Sequence, residues 1–595
     1  MDLWLNYLVQ ILLYATLALS LNLLLGYAGQ VSVAHASFGA IGGYAMGYIT
    51  LNHHWNFLLG TAIGMVIAFV VGSVVALPAL KLSVEYLILL TLAVSSVILG
   101  LLIATPSMGG SYGLINLPAA DIFGWHLLRP RDWVIPSLVV MLVVYFICRR
   151  IGESPTGRVL KGIREDPIST QALGKNVLGY KVAVFGTTSA LAALAGGFIS
   201  AWLRLATPGV FGFAFSLTVF AIVIFGGMGN LPGSILGATI VVLLDPLLKR
   251  AVDMDAARAS VVQLIIYGVA LVVLMRVRPQ GALPEGFSPW RWLRGQRGTG
   301  KRVEMVEGWT PQPRIEVHQP GAGLSDEAED RRERDTERRW HEAPVVLQTV
   351  GVSKRFGGII AAEDLQIELR RGTITALVGP NGAGKTTVFN LLTGFITPDA
   401  GSVKLNGQEL VGLTPAKVAR LGLVRSFQDV RLFSRLSCLQ NVMMAVQNQA
   451  GENFATLAFN HRQVKRIEER TREKAMEWLA FVGMGEFADV PAGALSYGQT
   501  KLVSLARVLA TEAEVILLDE PASGIDTKWV DTMLDLIAAV REQGRTVCIV
   551  EHNLHVVRRL ADHTYFMELG RITAQGTVAE LTNTPRLAEA YFGTA

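Results

Sequence analysis

From Leu3 to Val277 the chain is a succession of apolar runs of about 20 residues, with few ionisable side chains inside them. A run of that length and polarity crosses hydrocarbon as a helix. Nine such runs are expected, near 4–26, 31–50, 56–80, 82–104, 132–148, 180–203, 209–228, 232–248 and 259–276. The first lacks a basic leading segment and further runs follow at once, so it reads as a span rather than a signal peptide. From about Val345 onward charged and apolar residues mix as in a soluble α/β domain. The 51% hydrophobic content of the 595 residues therefore averages two unlike halves.

Charge supplies the topology. The loop after the fifth run holds Arg149, Arg150, Arg158, Lys161, Arg164, Lys175 and Lys181, an excess that belongs on the cytosolic side. Counting on four spans puts Arg276 and Arg278 inside as well, and the soluble half follows them into the cytosol. Counting back puts the N-terminus outside; Lys249, Arg250 and Arg258 then fall outside too, partly balanced by Asp245, Asp253 and Asp255. The net charge of +5 is small for this length, and its basic residues are explained by topology, so no nucleic-acid partner is implied. Cys148, Cys438 and Cys548 show neither pairing nor metal-ligand spacing.

Small residues recur every four positions at Gly39, Gly43 and Gly47 and again at Gly229, Gly233 and Gly237, a spacing that lets helix backbones approach closely in lipid. The glycine-broken turns LLGYAGQVS and FGGMGNLPG are candidate half-helix ends. The polar stretch SPTGRVLKGIREDPISTQALGK, 154–175, predicts two short helices: Ser154 caps the first, Asp166-Pro167 ends it and starts the second, and Gly174 closes the second. Val159, Leu160 and Ile163 are expected to pack, while Arg158, Lys161, Arg164 and Glu165 face water or a partner. After Pro279 the chain turns polar, and SDEAEDRRERDTERRWHE, 325–342, reads as a solvated tether. The chain thus divides into a membrane domain at 1–282, a linker at 283–344 and a soluble domain at 345–595.

In the soluble domain TITALV runs into GPNGAGKTT, 379–387, and then the helical pattern VFNLLTG. This is the strand, loop and helix of a phosphate-binding loop. Gly379, Gly382 and Gly384 leave backbone N–H groups free to close round phosphate oxygens, with Asn381 between them, and the following helix adds its positive end. Lys385 brings a point charge for the β- and γ-phosphates, and Thr386, beside Thr387, offers a hydroxyl to Mg²⁺. A second strand, EVILLDEP, ends in Asp519, suited to the Mg²⁺ shell, and Glu520, suited to polarising a water. A third, RTVCIVEHN, ends in His552, within reach of a γ-phosphate.

With LSYGQ, 495–499, the soluble domain resembles the ATP-binding cassette ATPases, an α/β P-loop fold with a helical subdomain. The resemblance implies that Phe356 stacks on adenine and that Gln428, in VRSFQDVRLF, senses Mg²⁺ and touches the permease. It implies further that Asp526 lies in a loop crossing a cassette dimer, and that Ser496, Gly498 and Gln499 meet nucleotide held mainly by the partner cassette. NLLTGFITPDAG, VRSFQDVRLFSRLSCLQNV and PRLAEAYFG are similar to the G-type ATPase of branched-chain amino acid importers. LNLLLGYAGQVSVAHASFGAIGGY, MGGSYGL, FGGMGNLPGSILGA and RPQG, with 154–181, resemble the M-type permease of the same importers. A fusion of these two usually separate subunits is implied.

The departures are Ile525-Asp526-Thr527 where Asn-Pro is frequent, Asn553 where Asp is frequent, and Met108 where Thr is common. The expectation is an ATP-driven importer of branched-chain amino acids or a related small polar or amphipathic solute. Glu520 acts as general base, Lys385 and His552 engage the γ-phosphate, and Asp519, Thr386 and Gln428 hold Mg²⁺. Arg158, Lys161, Arg164 and Glu165 form a coupling segment that docks on a cassette. The expected partners are a second, non-identical permease, a second ATPase, an extracytoplasmic solute-binding protein and membrane lipid, at the cytoplasmic membrane. The alternatives are an exporter or flippase half-transporter, suggested by the permease-then-cassette order, and a non-transporting, membrane-tethered ATPase regulator.

Overall fold

The computed structural model describes residues 2–78, 82–122, 124–252, short stretches between 262 and 287, and 336–582. The expected ninth span at 259–276, most of the charged run 325–342 and the closing PRLAEAYFG fall largely or wholly outside the described residues. The chain forms two compact units that do not follow sequence order. One holds Met1–Glu165, Val177–Gly300 and Glu452–Ala458; the other holds Asp166–Asn176, Lys301–Gly451 and Phe459–Ala595.

In chain order the first ten helices are α1 (Asp2–Asn22), α2 (His35–His53), α3 (Phe57–Ala76), α4 (Val84–Ala104), α5 (Pro130–Gly152), α6 (Pro155–Glu165), α7 (Pro167–Ala172), α8 (Val177–Leu203), α9 (Phe213–Gly226) and α10 (Leu231–Val252). All but α7 belong to the first unit. Five helices are long and apolar enough to cross a membrane: Asp2–Tyr27, α3, α4, α5 and α8. The expected nine spans are not reached among the described residues. At 14 residues α9 is too short, only Leu231–Leu244 of α10 is strongly apolar, and the glycines of α2 dilute its hydropathy.

Those glycines have a packing cause. A Cβ added to Gly42 would lie 1.9 Å from the Ala193 carbonyl oxygen, and one on Gly196 would lie 2.0 Å from that of Gly39, so α2 and α8 touch backbone to backbone. At the outside of the unit, α3 and α4 present Val66, Phe69, Val70, Leu89 and Leu101, an apolar surface that lipid solvates without cost.

Both glycine-broken turns are real interruptions. α1 runs into a π turn, Leu23–Tyr27, and residues 28–34 are non-helical before α2; α9 and α10 are separated by 227–230. Broken helices leave backbone groups without intrahelical partners, which the membrane cannot hydrate. Buried Asn22, at the end of α1 just ahead of the first break, answers this for the second. Its amide nitrogen donates to the Gly227 oxygen (3.3 Å), the Asn230 oxygen (2.9 Å) and Ser234 Oγ (2.8 Å), and its Oδ1 accepts from Gly229 N–H (2.8 Å).

The second unit is built on a six-stranded sheet in the order Arg571–Gly576, His563–Glu568, Ile374–Val378, Thr546–Val550, Val515–Asp519, Leu423–Arg425. Every pairing is parallel except the first. The parallel strands Ile374–Val378, Val515–Asp519 and Thr546–Val550 are buried at every position, which is why they read as unbroken apolar runs. An antiparallel sheet built around Val345–Phe356 packs with it. The helix Tyr497–Leu509 shares a core with Cys438–Ala445 and His461–Phe481, the helical subdomain.

Ahead of this domain the end of the tether is anchored. Trp340 is buried, its ring stacked on His563 at 4.2 Å with 4° between planes, and the Arg370 guanidinium lies 5.4 Å from the ring centre. Arg339 pairs with Asp562 at 2.9 Å, and the other Asp562 oxygen accepts the Ile374 N–H at 2.7 Å, at the start of the strand that leads to the phosphate loop.

Candidate nucleotide site

Sheet polarity gathers the predicted chemistry. Strands Ile374–Val378, Val515–Asp519 and Thr546–Val550 run the same way, so Gly379, Glu520 and Glu551-His552 emerge at one edge. In open α/β sheets ligands bind at that edge, beyond the carboxyl ends of the strands. The loop 379–384 turns with Gly382 at φ +83° and Gly384 at +104°, and helix Lys385–Leu392 starts directly behind it. A side chain at Gly384 would strike the Ala361 carbonyl oxygen at 2.3 Å, on the strand whose Ile359 pairs with Phe356. Phe356 itself is exposed. Asn381, Gly382 and Thr386 are exposed, Thr387 is half-buried and Lys385 is buried.

Lys385 Nζ donates to the carbonyl oxygens of Gly379 (2.7 Å) and Pro380 (2.9 Å), so its ammonium lies within the loop's own curve. Burial lowers its pKa, with Glu520 and Asp519 acting in the opposite direction. Glu520 sits in a left-handed backbone conformation, φ +48°, fixed by its N–H to the Val550 oxygen (2.9 Å) and by Lys501 Nζ on its own carbonyl (2.8 Å). Its carboxylate accepts from Gln428 Nε2 at 3.1 Å and lies 3.8 Å from His552 Nδ1. Gln428, Glu520 and His552, far apart in sequence, are thus neighbours.

Asp519 was expected, but not its partner. Arg425, the last residue of the edge strand, reaches its carboxylate at 3.3 Å; both side chains are 2% exposed. Arg425 also donates to Asn390 Oδ1 (2.5 Å) and lies 4.6 Å over the Phe427 ring. Burial raises the Asp519 pKa, with Arg425 offsetting the effect, and burial brings the Arg425 pKa down to about 10. A charged residue inside the apolar strand LVR was the one available signal.

The LSYGQ segment is a capping box. Ser496 Oγ accepts the Gln499 N–H (3.4 Å) and Gln499 Oε1 accepts the Ser496 N–H (3.0 Å), which launches helix Tyr497–Leu509. Gly498 lies beside Trp529, and Gly524, two residues ahead of Asp526, beside Tyr497. Among the described residues no hydrogen bond or ion pair links Ser496, Gly498 or Gln499 to 379–387 in the same chain. Asn553 performs the capping that aspartate would, accepting the His555 N–H at 3.0 Å.

The segment 154–175 is divided between the units. Ser154 and Asp166 cap α6 and α7 through Gly157 N–H (3.3 Å) and the Ile168 and Ser169 N–H groups (2.9 Å each), and Gly174 closes α7 at φ +80°. Val159, Leu160 and Ile163 are buried as expected. The expectation that Arg158, Lys161, Arg164 and Glu165 face water or a partner needs correction. Arg158 is buried, Glu165 is half-buried, and Lys161 and Arg164 turn to Glu285 of the first unit at 3.1 and 2.9 Å, because two cations on an amphipathic helix find a carboxylate there. The contacts to the nucleotide-binding fold come from the next residues, within the second unit. Asp166 pairs with Arg431 (3.0 Å), Ser169 Oγ donates to the Arg431 oxygen (3.0 Å), and Lys175 Nζ donates to the Val446 oxygen (2.9 Å). Arg420 donates to the Gly174 oxygen (2.8 Å). Arg431 lies three residues beyond Gln428, and its carbonyl also accepts from Arg507 at 2.7 Å.

The oxygen donors Asp519, Thr386, Gln428 and Glu520 are of the hard kind that Mg²⁺ takes, and one or two carboxylates with substrate phosphates make its usual site. Phosphate loop, acidic strand end, lid glutamine and signature box together make up an ATP-binding cassette, here carried behind a helical permease. The permease half matches the family model for the permease component of branched-chain amino acid transport systems over residues 3–275, and the ABC transporter model matches 362–523.

The high-affinity branched-chain amino acid transport ATP-binding protein BraF of Pseudomonas aeruginosa is 38% identical over 251 residues, which is 42% of this chain and 98% of that protein. LivG of Escherichia coli K12 is 36% identical over 251 residues, again 42% and 98%. A probable LivG of Archaeoglobus fulgidus is 34% identical over 248 residues, 42% and 95%. A crystal structure of a nucleotide-free cassette from an ABC transporter matches at 31% identity over 42% of this chain and all of that one, with a TM-score of 0.37. The chain belongs to the branched-chain amino acid transport family of ATP-binding cassette transporters, as a fusion of its permease and ATP-binding components. It is a membrane-integral protein whose cytosolic cassette binds ATP and couples its hydrolysis to transport.

Proposed function

We propose that the chain imports a branched-chain amino acid, or a related small polar or amphipathic solute, across the cytoplasmic membrane. It works with a second, non-identical permease and cassette and takes its solute from an extracytoplasmic binding protein. The observation that carries this reading is the joining of both matched components, permease and ATPase, in one chain. Glu520 is the general base for the attacking water, held in place by Gln428 and by Lys501 on its backbone. Lys385 leaves the loop carbonyls for the β- and γ-phosphates, and His552 donates to the γ-phosphate. Phe356 stacks on adenine, while Ser496, Gly498 and Gln499 serve the nucleotide of the partner cassette across an interface that includes Asp526. Asp519, Thr386 and Gln428 hold Mg²⁺, which when bound neutralises charge on the phosphates.

The force path runs from Gln428 to Arg431 and so to Asp166 and Ser169. The test is uptake into proteoliposomes carrying the complex, with labelled leucine, an aliphatic amide, urea and an aromatic acid offered in parallel. ATP-dependent leucine uptake that requires the binding protein is expected. Uptake of another of these solutes in its place would reassign the substrate, and outward flux without a binding protein would establish the exporter reading.

A further inference from the structure

In the first unit α6 and the second helix break meet the carboxylate of Glu285, and the first break holds the two cations that pair with it. From α6, Lys161 Nζ meets its Oε1 at 3.1 Å and Arg164 Nη2 meets its Oε2 at 2.9 Å. From the first helix break, the Gly26 carbonyl accepts from Arg164, the Tyr27 ring lies 5.1 Å beneath the Lys161 ammonium, and Gly29 lies against the Arg164 stem, where a Cβ would come within 2.6 Å. From the second break, Gly229 abuts the Glu285 carboxyl, which a Cβ there would approach to 3.0 Å.

The segment carrying Glu285 is itself strapped to that second break. Ala282 and Leu283 donate N–H groups to the oxygens of Phe225 (2.9 Å) and Gly226 (3.0 Å), and Asn230 Nδ2 donates to the oxygens of Pro284 (2.9 Å) and Phe287 (3.0 Å).

The three charged side chains are 12–23% exposed, so they are shielded from salt yet not sealed in the interior. The Gly26 carbonyl belongs to the π turn that continues α1, and the negative dipole end there favours the Arg164 cation. The two breaks interrupt the backbone ladders of the helical bundle, and Asn22, at the end of α1, already ties the first to the second. α6, in turn, leads without a gap into Asp166, which pairs with Arg431 in the second unit.

We propose that Glu285 is a positioning residue for transport: by clamping Lys161 and Arg164 it makes α6 and both helix breaks move as one body, so that displacement of α6 is delivered to α1–α2 and α9–α10. This rests on the ATP-driven transport reading above and assigns the coupling step inside the permease to one side chain.

The test needs no knowledge of the solute. Met228, exposed in the second break, is replaced by cysteine in the full complex, where the native Cys148, Cys438 and Cys548 are buried. Alkylation by N-ethylmaleimide is followed with and without ATP in a Glu520→Gln background, and ATP binding is measured in the same sample with a fluorescent analogue. Bound ATP is expected to change the alkylation rate by about tenfold. Glu285→Gln is expected to abolish that response while leaving ATP binding intact, and the conservative Glu285→Asp, which keeps the carboxylate for Lys161 and Arg164, to retain part of it. A response that follows the carboxylate is an outcome that a merely structural role does not produce, and it is informative even if Glu285→Gln accumulates poorly.

A full response in Glu285→Gln, no response in Glu285→Asp, or no response in the unsubstituted complex with ATP bound overturns the proposal. Absence of ATP binding overturns the transport reading itself, and is distinguishable because it is measured separately.

Discussion

At the scale of residues, the site divides into groups whose identity chemistry dictates and groups that only the fold assembles. Phosphate binding demands glycine, lysine and a hydroxyl at fixed spacing, so Gly382, Gly384, Lys385 and Thr386 are visible in a nine-residue window. Glu520→Gln should retain ATP binding and lose hydrolysis by about 10²–10⁴-fold, the worth of a positioned general base. ATPase rates measured with the partner cassette inactivated check this; turnover at the unsubstituted rate refutes the assignment. Arg425 was not legible, because its partner Asp519 is 94 residues away and only the strand register, Arg425 beside Leu517, brings them together. Arg425→Met leaves a buried carboxylate without its cation and should destabilise the cassette by about 3–5 kcal/mol, seen as a lowered unfolding temperature of the purified chain.

At the scale of elements, long apolar helices such as α3 and α8 were predictable within a few residues, since a single property sustained over 20 positions defines them. The π turn, the shared hub at Asn22 and the division of α6 from α7 between units were not, because each depends on contacts between distant segments. Asn22→Ala strands the Gly229 N–H within the membrane domain and takes one of two donors from each of the Gly227 and Asn230 carbonyls. A loss of about 1–3 kcal/mol is expected, read as reduced folded protein after extraction in detergent.

The tether anchor gives a pH signature. Burial first, then the charges of His341 and Arg370, lower the His563 pKa from 6.5 to about 4. Between those values the unfolded chain binds the proton that the folded strand refuses, so stability rises with pH and is lost as pH falls from 6.5 toward 4. Thermal unfolding across this window should show a shallower slope in His563→Gln than in the unsubstituted chain; equal slopes would remove His563 as the cause.

At the scale of the molecule, the proposed nucleotide sandwich takes Ser496, Gly498 and Gln499 from one cassette and the loop 379–387 from another, and each chain carries one cassette. Purification from the native host is therefore expected to bring down a distinct permease and a distinct cassette, identified by mass spectrometry; a preparation containing this chain alone would establish a homodimer. Domain order was legible in the sequence from the change in hydropathy near 280 and again near 345, but where the tether grips was not.

That grip has a mechanical consequence. Trp340 and Arg339 hold the cassette at His563 and Asp562, and Asp562 is bonded to Ile374, four residues upstream of Val378 and at the opposite end of that strand from the nucleotide loop. Tension in the tether is thus loaded onto the floor of the sheet, where it is shared between an aromatic stack and the hydrogen-bonded ion pair of Arg339 with Asp562, which Arg541 also faces at 3.5 Å. Load from the tether enters the sheet with the length of the strand Ile374–Val378 between its grip and the loop that closes on phosphate.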